Sequence, residues 1–157
     1  MLSRLTRRLV RVLGYLWATP GTLIGLLLSI PYGAHRWRWF DGCLEATTMR
    51  MIGDPAAQTH GWLIFYASND YRRNKGLRVH ERVHVTQALW GGPLYLIAYA
   101  LHFLWRWADL RNWRAAYWGV WAECQAYEIQ YDYLDGKHPG QWGEKLPSAT
   151  RGNGLPS

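Results

Sequence analysis

The run Leu77-Arg78-Val79-His80-Glu81-Arg82-Val83-His84-Val85-Thr86-Gln87-Ala88-Leu89-Trp90, closed by Gly91-Gly92 and followed by Pro93, decides how the rest of the chain is read. It contains no glycine or proline, and the Gly-Gly-Pro after it is a stop and a restart. Glycine closes a helix, and proline fits the first turn of the next one, where its missing N–H is not needed. The pattern predicts a helix over residues 77–90. On a helix, His80 and His84 stand one turn apart on one face, where both imidazoles can ligate a single ion. Glu81 follows the first histidine on that face. It is placed to take a proton from a water at the metal rather than to bind the metal itself. Zinc suits this work, because it brings the pKa of a water near neutrality and polarises a carbonyl. At about 100° per residue, Leu77, His80, Glu81, His84 and Ala88 share one arc. Val79, Val83 and Trp90 lie opposite and are expected to pack into the core.

A catalytic zinc takes a third protein ligand and keeps one position open. A helix predicted over residues 112–134 offers Glu123 and Glu128, which differ by about 140° on the wheel, so one orientation cannot present both. Glu123 shares its arc with Ala116, Gly119, Ala126, Tyr127 and Gln130, and small residues there permit a close approach to the metal helix. Glu128 shares its arc with Trp121, Gln125 and Asp132, and Glu128-x-x-x-Asp132 is its one attraction. The packing argument favours Glu123. Tyr127, one turn from Glu123, is a candidate oxyanion donor. Gln87 is either a hydrogen-bond partner of a ligand histidine or a solvent-facing side chain. His60 reads as a loop histidine and His102 as a hydrogen-bonded core residue, rather than as ligands.

Between the metal helix and this third one, residues 93–107 are apolar nearly all round, as in a helix that is buried or lies in lipid. Upstream, residues 12–34 carry no charge and follow Arg4, Arg7, Arg8 and Arg11. Their length suffices for a membrane helix, and Pro20 and Pro31 leave a kinked span and a shallow hairpin both open. Trp37 and Trp39 alternate with Arg36 and Arg38, and Asp41-Gly42 gives a hairpin signal before residues 43–47. A second strand is expected over residues 61–67, ended by Asn69-Asp70.

The chain has 11 Trp and 10 Tyr against 3 Phe, and 18 Lys+Arg against 11 Asp+Glu. Tryptophan and tyrosine concentrate where an apolar region meets water, including the headgroup belts of membranes. The basic balance suits anionic lipid. No RNA-binding signature or phosphate-cradling loop is present, so no nucleic-acid partner is expected. Cys43 and Cys124 make at most one bridge and no disulfide framework.

His80-Glu81-x-x-His84 with a glutamate on a downstream helix resembles the gluzincin branch of zinc metallopeptidases. The longer set His80 to Gln87, Gly92-Pro93-Leu94-Tyr95 and Glu123-x-x-Ala126 resembles small bacterial membrane proteins that carry an H-E-x-x-H helix. The absence of an H-x-x-G-x-x-H extension after His84 sets the chain apart from metzincins. The resemblance implies Zn2+ held by His80, His84 and Glu123, Glu81 as general base, a peptide or protein substrate, and a place at the bacterial inner membrane. By the same analogy, the strand over residues 61–67 would be the edge that aligns an extended peptide. Two other readings stand beside it: hydrolysis of an amide or ester of a lipid or cell-wall component, and a non-catalytic protein with a structural zinc. The expected architecture is α+β and mainly helical. A membrane-anchoring segment (1–34) precedes a zincin-like domain (35–136) with a short antiparallel β region and three helices, and a flexible tail follows (137–157).

Overall fold

The computed structural model describes residues 4–137, so nearly all of the expected tail lies outside the described residues. The chain is α+β and mainly helical: α1 (Arg4–Tyr32), β1 (His35–Phe40), β2 (Cys43–Thr47), β3 (Ala57–His60), β4 (Leu63–Tyr66), α2 (Asn69–Arg73), α3 (Lys75–Gly91), α4 (Pro93–Leu110), α5 (Trp113–Trp118) and α6 (Trp121–Leu134).

The apolar run near the N-terminus is one continuous helix, not a hairpin, with Pro20 and Pro31 both inside it. Proline removes a single helical hydrogen bond, and packing on one side of α1 outweighs that loss. Gly33, at φ +63°, ends the helix. There the N–H of Ala34 reaches the carbonyl of Ser29 at 2.9 Å, the closure that a left-handed residue permits. The packed side of α1 is lined by small residues. Gly14 meets Leu89, Gly21 meets Gly61 and Leu96, and Gly25 meets His60 and Leu63. The other side leaves Leu9, Leu13, Leu16, Leu23, Leu27 and Ile30 exposed.

The sheet has the order β1-β2-β4-β3. Its β1–β2 and β3–β4 pairs are antiparallel, but β2 and β4 run parallel. The sheet is therefore mixed rather than purely antiparallel. A strand at residues 57–60 adds itself to β4 through the turn Gly61-Trp62. Ala57-Gln58-Thr59-His60 has neither apolar alternation nor β-branched density to announce it. Its presence moves β4 inward, with all four β4 residues buried. The edge strand beside α3 is thus β3, not the 61–67 segment.

Helix α3 is the centre of the molecule, packed on α6, α1, α4 and β3. All seven residues from Val79 to Val85 are buried. The two-faced wheel fails at its edges. Arg82 is buried, and Trp90, expected in the core, is 77% exposed. Asn74 caps α3 by accepting the N–H of Leu77 at 3.0 Å. Gly92 (φ +54°) and Pro93 make the predicted break into α4. The helix expected over 112–134 is two. Gly119 and Val120 divide α5 from α6, and the Arg106 guanidinium packs where a Gly119 side chain would lie. Cys43 and Cys124 are both free.

Candidate metal centre

Helix α3 presents His80 and His84, and the first turn of α6 presents Glu123; all three are buried. The His80 and His84 Nε2 atoms lie 3.1 Å apart. The Glu123 carboxylate is 3.3 Å from His80 Nε2 through Oε2 and 3.4 Å from His84 Nε2 through Oε1. Ligands about 2.0–2.1 Å from a tetrahedral zinc stand about 3.3 Å from one another. The two imidazole nitrogens are near that spacing. The carboxylate faces one nitrogen with each oxygen, so that one donor atom from each residue lies within 4.8 Å of the others. Glu123 Oε2 is buried without a hydrogen-bond partner, as an oxygen reserved for a cation would be. Imidazole with carboxylate is a donor set that zinc accepts. The group could hold a metal ion.

The residues behind the donors fix their orientation. The Gln87 amide N–H2 donates to Ala122 O at 3.1 Å and Gln125 Oε1 at 2.8 Å. Its carbonyl oxygen therefore faces His84 Nδ1 at 2.8 Å. Neutral His84 must then carry its proton on Nδ1, and the Nε2 lone pair points at the cluster. The Tyr95 hydroxyl, 3.0 Å from Gln87 Oε1 and 3.1 Å from His84 Nδ1, closes that arrangement. His80 is held differently, with the Tyr127 ring 4.3 Å from its own, centroid to centroid.

Glu123 accepts a hydrogen bond from the Tyr99 hydroxyl at 2.8 Å. Burial pushes its carboxyl up, but the His80 and His84 imidazoles that face it and the Tyr99 hydroxyl outweigh that. They hold it well below the usual carboxylate range. Its place in the first turn of α6 adds the favourable end of the helix dipole. The small residues that let α6 approach are Ala122 and Ala126, both fully buried. Ala116 and Gly119, expected to share that task, lie outside α6. Glu128 is exposed, and the geometry brings Glu123, not Glu128, to the histidines.

Glu81 is buried beside the cluster and accepts the Thr59 hydroxyl at 2.7 Å, a link from α3 to β3. The Tyr127 hydroxyl is pushed up to about 12 by burial and by the charges of Glu123 and Glu81. The Tyr117 hydroxyl, which bonds Glu123, is raised further by burial and the same carboxylate. Both phenols stay protonated at neutral pH. Thr59, Tyr99 and Tyr117 had no distinguishing signal in the sequence, whereas Tyr95 belonged to the Gly92-Pro93-Leu94-Tyr95 stretch.

His60 and His102 lie elsewhere. His102 Nδ1 accepts the Trp121 N–H at 3.2 Å and so caps α6. His60 ends β3 against Gly25 of α1, not in a loop. Burial lowers its pKa to about 4. On the other flank, the buried Arg82 guanidinium meets Asp41 Oδ2 at 2.7 Å and the Phe40 carbonyl at 3.3 Å. That pair ties the β1–β2 turn to the middle of α3. Burial raises the Cys43 thiol to about 12, with Arg82 opposing the rise, so this cysteine is a packing residue.

Beside the centre, a cleft of about 570 Å³ is lined by Gln87, Trp90, Leu94, Tyr95, Trp121 and Gln125, among others, with no charged side chain. No family model, no curated protein and no solved structure matches the chain. The class is therefore defined by fold and geometry: an α+β protein with a buried His-His-Glu group that could hold a metal ion. Two helical stretches, Arg8–Tyr32 and Lys75–Leu110, are long and apolar enough to cross a membrane by length and composition.

Proposed function

We propose that this chain is a membrane-associated zinc hydrolase that cleaves peptide bonds. The observation that carries the reading is the mutual approach of His80 Nε2, His84 Nε2 and the Glu123 carboxylate within 4.8 Å, with Glu81 on the same helix. His80, His84 and Glu123 would hold the zinc, which when bound supplies Lewis-acid activation of water and of the scissile carbonyl. Glu81 accepts the proton released as water attacks and passes it to the departing amine. The Thr59 hydroxyl holds one Glu81 oxygen in place and leaves the other to work. Protonated Tyr127, whose ring packs on that of His80, would steady negative charge on the carbonyl oxygen. The β3 edge, which no strand among the described residues covers, offers backbone groups to an extended peptide. The resemblance to gluzincins supports the same assignment.

A second reading keeps the zinc and changes the substrate. The uncharged cleft opens between exposed Trp90, Leu94 and Trp121, which favours an amide or ester carrying an acyl chain. Hydrolysis by detergent-purified protein of a peptide panel and an N-acyl amide panel separates the two. In either case Glu81→Gln is expected to keep the metal and to lose activity by about 10²–10⁴-fold. Undiminished hydrolysis in that variant would remove Glu81 from the mechanism. Absence of hydrolysis by the wild type on both panels would leave a structural zinc.

A further inference from the structure

Helix α1 has the length of a transmembrane span but not the surroundings of one. From Tyr15 to Tyr32, one side of it is occupied by the sheet and its turns. The Tyr15 hydroxyl donates to the Gly42 carbonyl in the β1–β2 turn at 2.5 Å. Thr22 Oγ1 accepts the Trp62 N–H in the β3–β4 turn at 3.1 Å. Gly25 packs on His60 and Leu63, and the Tyr32 hydroxyl bonds Gln58 of β3 at 3.0 Å. At 1.5 Å per residue these contacts cover about 26 Å of helix, nearly the whole of a hydrocarbon core about 30 Å thick.

If α1 crossed the bilayer, the sheet would cross with it. Among the described residues, strand β1 is an outer strand paired only with β2, and it carries the exposed Arg36. An open sheet edge in hydrocarbon leaves backbone groups without partners, each costing several kcal/mol. A crossing α1 is therefore incompatible with the fold around it.

Resting on the membrane reading proposed above, we infer that α1 lies in the plane of an anionic bilayer, with α4 beside it, and that the protein enters one leaflet only. The outward residues Leu9, Leu13, Leu16, Leu23, Leu27 and Ile30 form an apolar face along α1. Helix α4 adjoins it through Leu96 against Gly21 and Trp17 against Gly92. It adds Leu94, Ile97, Leu101 and Leu104, all exposed at helical spacing. Charge selects the lipid. Residues 1–40 hold six arginines and no Asp or Glu, and Arg8 and Arg11 are exposed near the start of α1. A long helix with an apolar face and flanking basic residues inserts about 5–10 Å, at the boundary of headgroups and acyl chains.

The test is depth measurement by nitroxide labels on single cysteines at positions 9, 16, 27 and 30. It uses the full chain with Cys124→Ser, bound to vesicles of phosphatidylcholine and phosphatidylglycerol in equal parts. All four labels are expected at one shallow depth. Arg8→Gln with Arg11→Gln is expected to weaken vesicle partitioning roughly thirty-fold, at about 1 kcal/mol per arginine. Labels that deepen to a maximum at position 16 and emerge at opposite surfaces would overturn the in-plane placement while leaving membrane association intact. No binding to any vesicle would defeat the membrane reading and this inference with it. A stable lipid-free dimer that ignores vesicles would assign the apolar face to a second copy and overturn the inference as well.

Discussion

The carbonyl oxygen of Gln87 faces Nδ1 of His84 at 2.8 Å, one helical turn along α3 from the Nε2 that points into the cluster. The Gln87 amide is itself fixed from α6, so the tautomer of His84 is set by the helix that carries Glu123. Residues at this remove from a metal change affinity by about 10–100-fold. Gln87→Leu is expected to weaken zinc binding within that range, measured by chelator competition, with the helical content unchanged. Unchanged affinity would mean that His84 is oriented by Tyr95 alone.

The Arg82–Asp41 pair makes a different prediction, about stability. Arg82 is buried and also lies 3.7 Å from the fully buried carboxylate of Glu45. Removing one partner of a buried ion pair costs about 3–5 kcal/mol, because the charge left behind has lost its compensation. Arg82→Met should lower stability by that order in chemical unfolding. Asp41→Asn should cost less, since Asp41 is exposed and its backbone carbonyl, 2.9 Å from Arg82, remains. Equal effects of the two would contradict the assignment of Arg82 as the buried member.

His60 predicts a pH dependence away from the candidate metal centre. Its ordinary pKa of 6.5 falls to about 4 in the fold, through burial. Between those values the unfolded chain takes up a proton that the folded chain refuses. The residue's contribution is therefore complete above 6.5 and is lost as pH falls through the window. From pH 7 to pH 5 the wild type should lose about 2 kcal/mol more than His60→Gln. Parallel urea midpoints for the two proteins would show that His60 does not titrate between those states.

Much of this was legible in the sequence because local chemistry and tertiary role coincide there. Gly91-Gly92-Pro93 breaks a helix wherever it occurs. The spacing of His80 and His84 needs only a helix to become a pair of converging donors. Glu123 was legible for a partly wrong reason: Ala126 does let α6 approach, but Ala116 belongs to α5 and Gly119 to the break between α5 and α6. Strand β3 was not legible, since Ala57-Gln58-Thr59-His60 takes its conformation from pairing with β4 rather than from its own preferences. Trp90 misled in the opposite direction. It lies in the last turn of α3, beyond the stretch Val79–Val85 that its neighbours enclose, and a wheel carries no information on position along the helix. The contacts of Thr59 with Glu81 and of Tyr99 with Glu123 join residues 22 and 24 positions apart, and nothing local specifies either.

The central claim is that His80, His84 and Glu123 together hold one zinc. Its most direct test is the metal content of detergent-purified protein for the wild type, Glu123→Ala and Glu128→Ala. The account predicts about one zinc per chain in the wild type and in Glu128→Ala, and loss of zinc in Glu123→Ala with helical content retained. Zinc retained in Glu123→Ala, or lost only in Glu128→Ala, would contradict it.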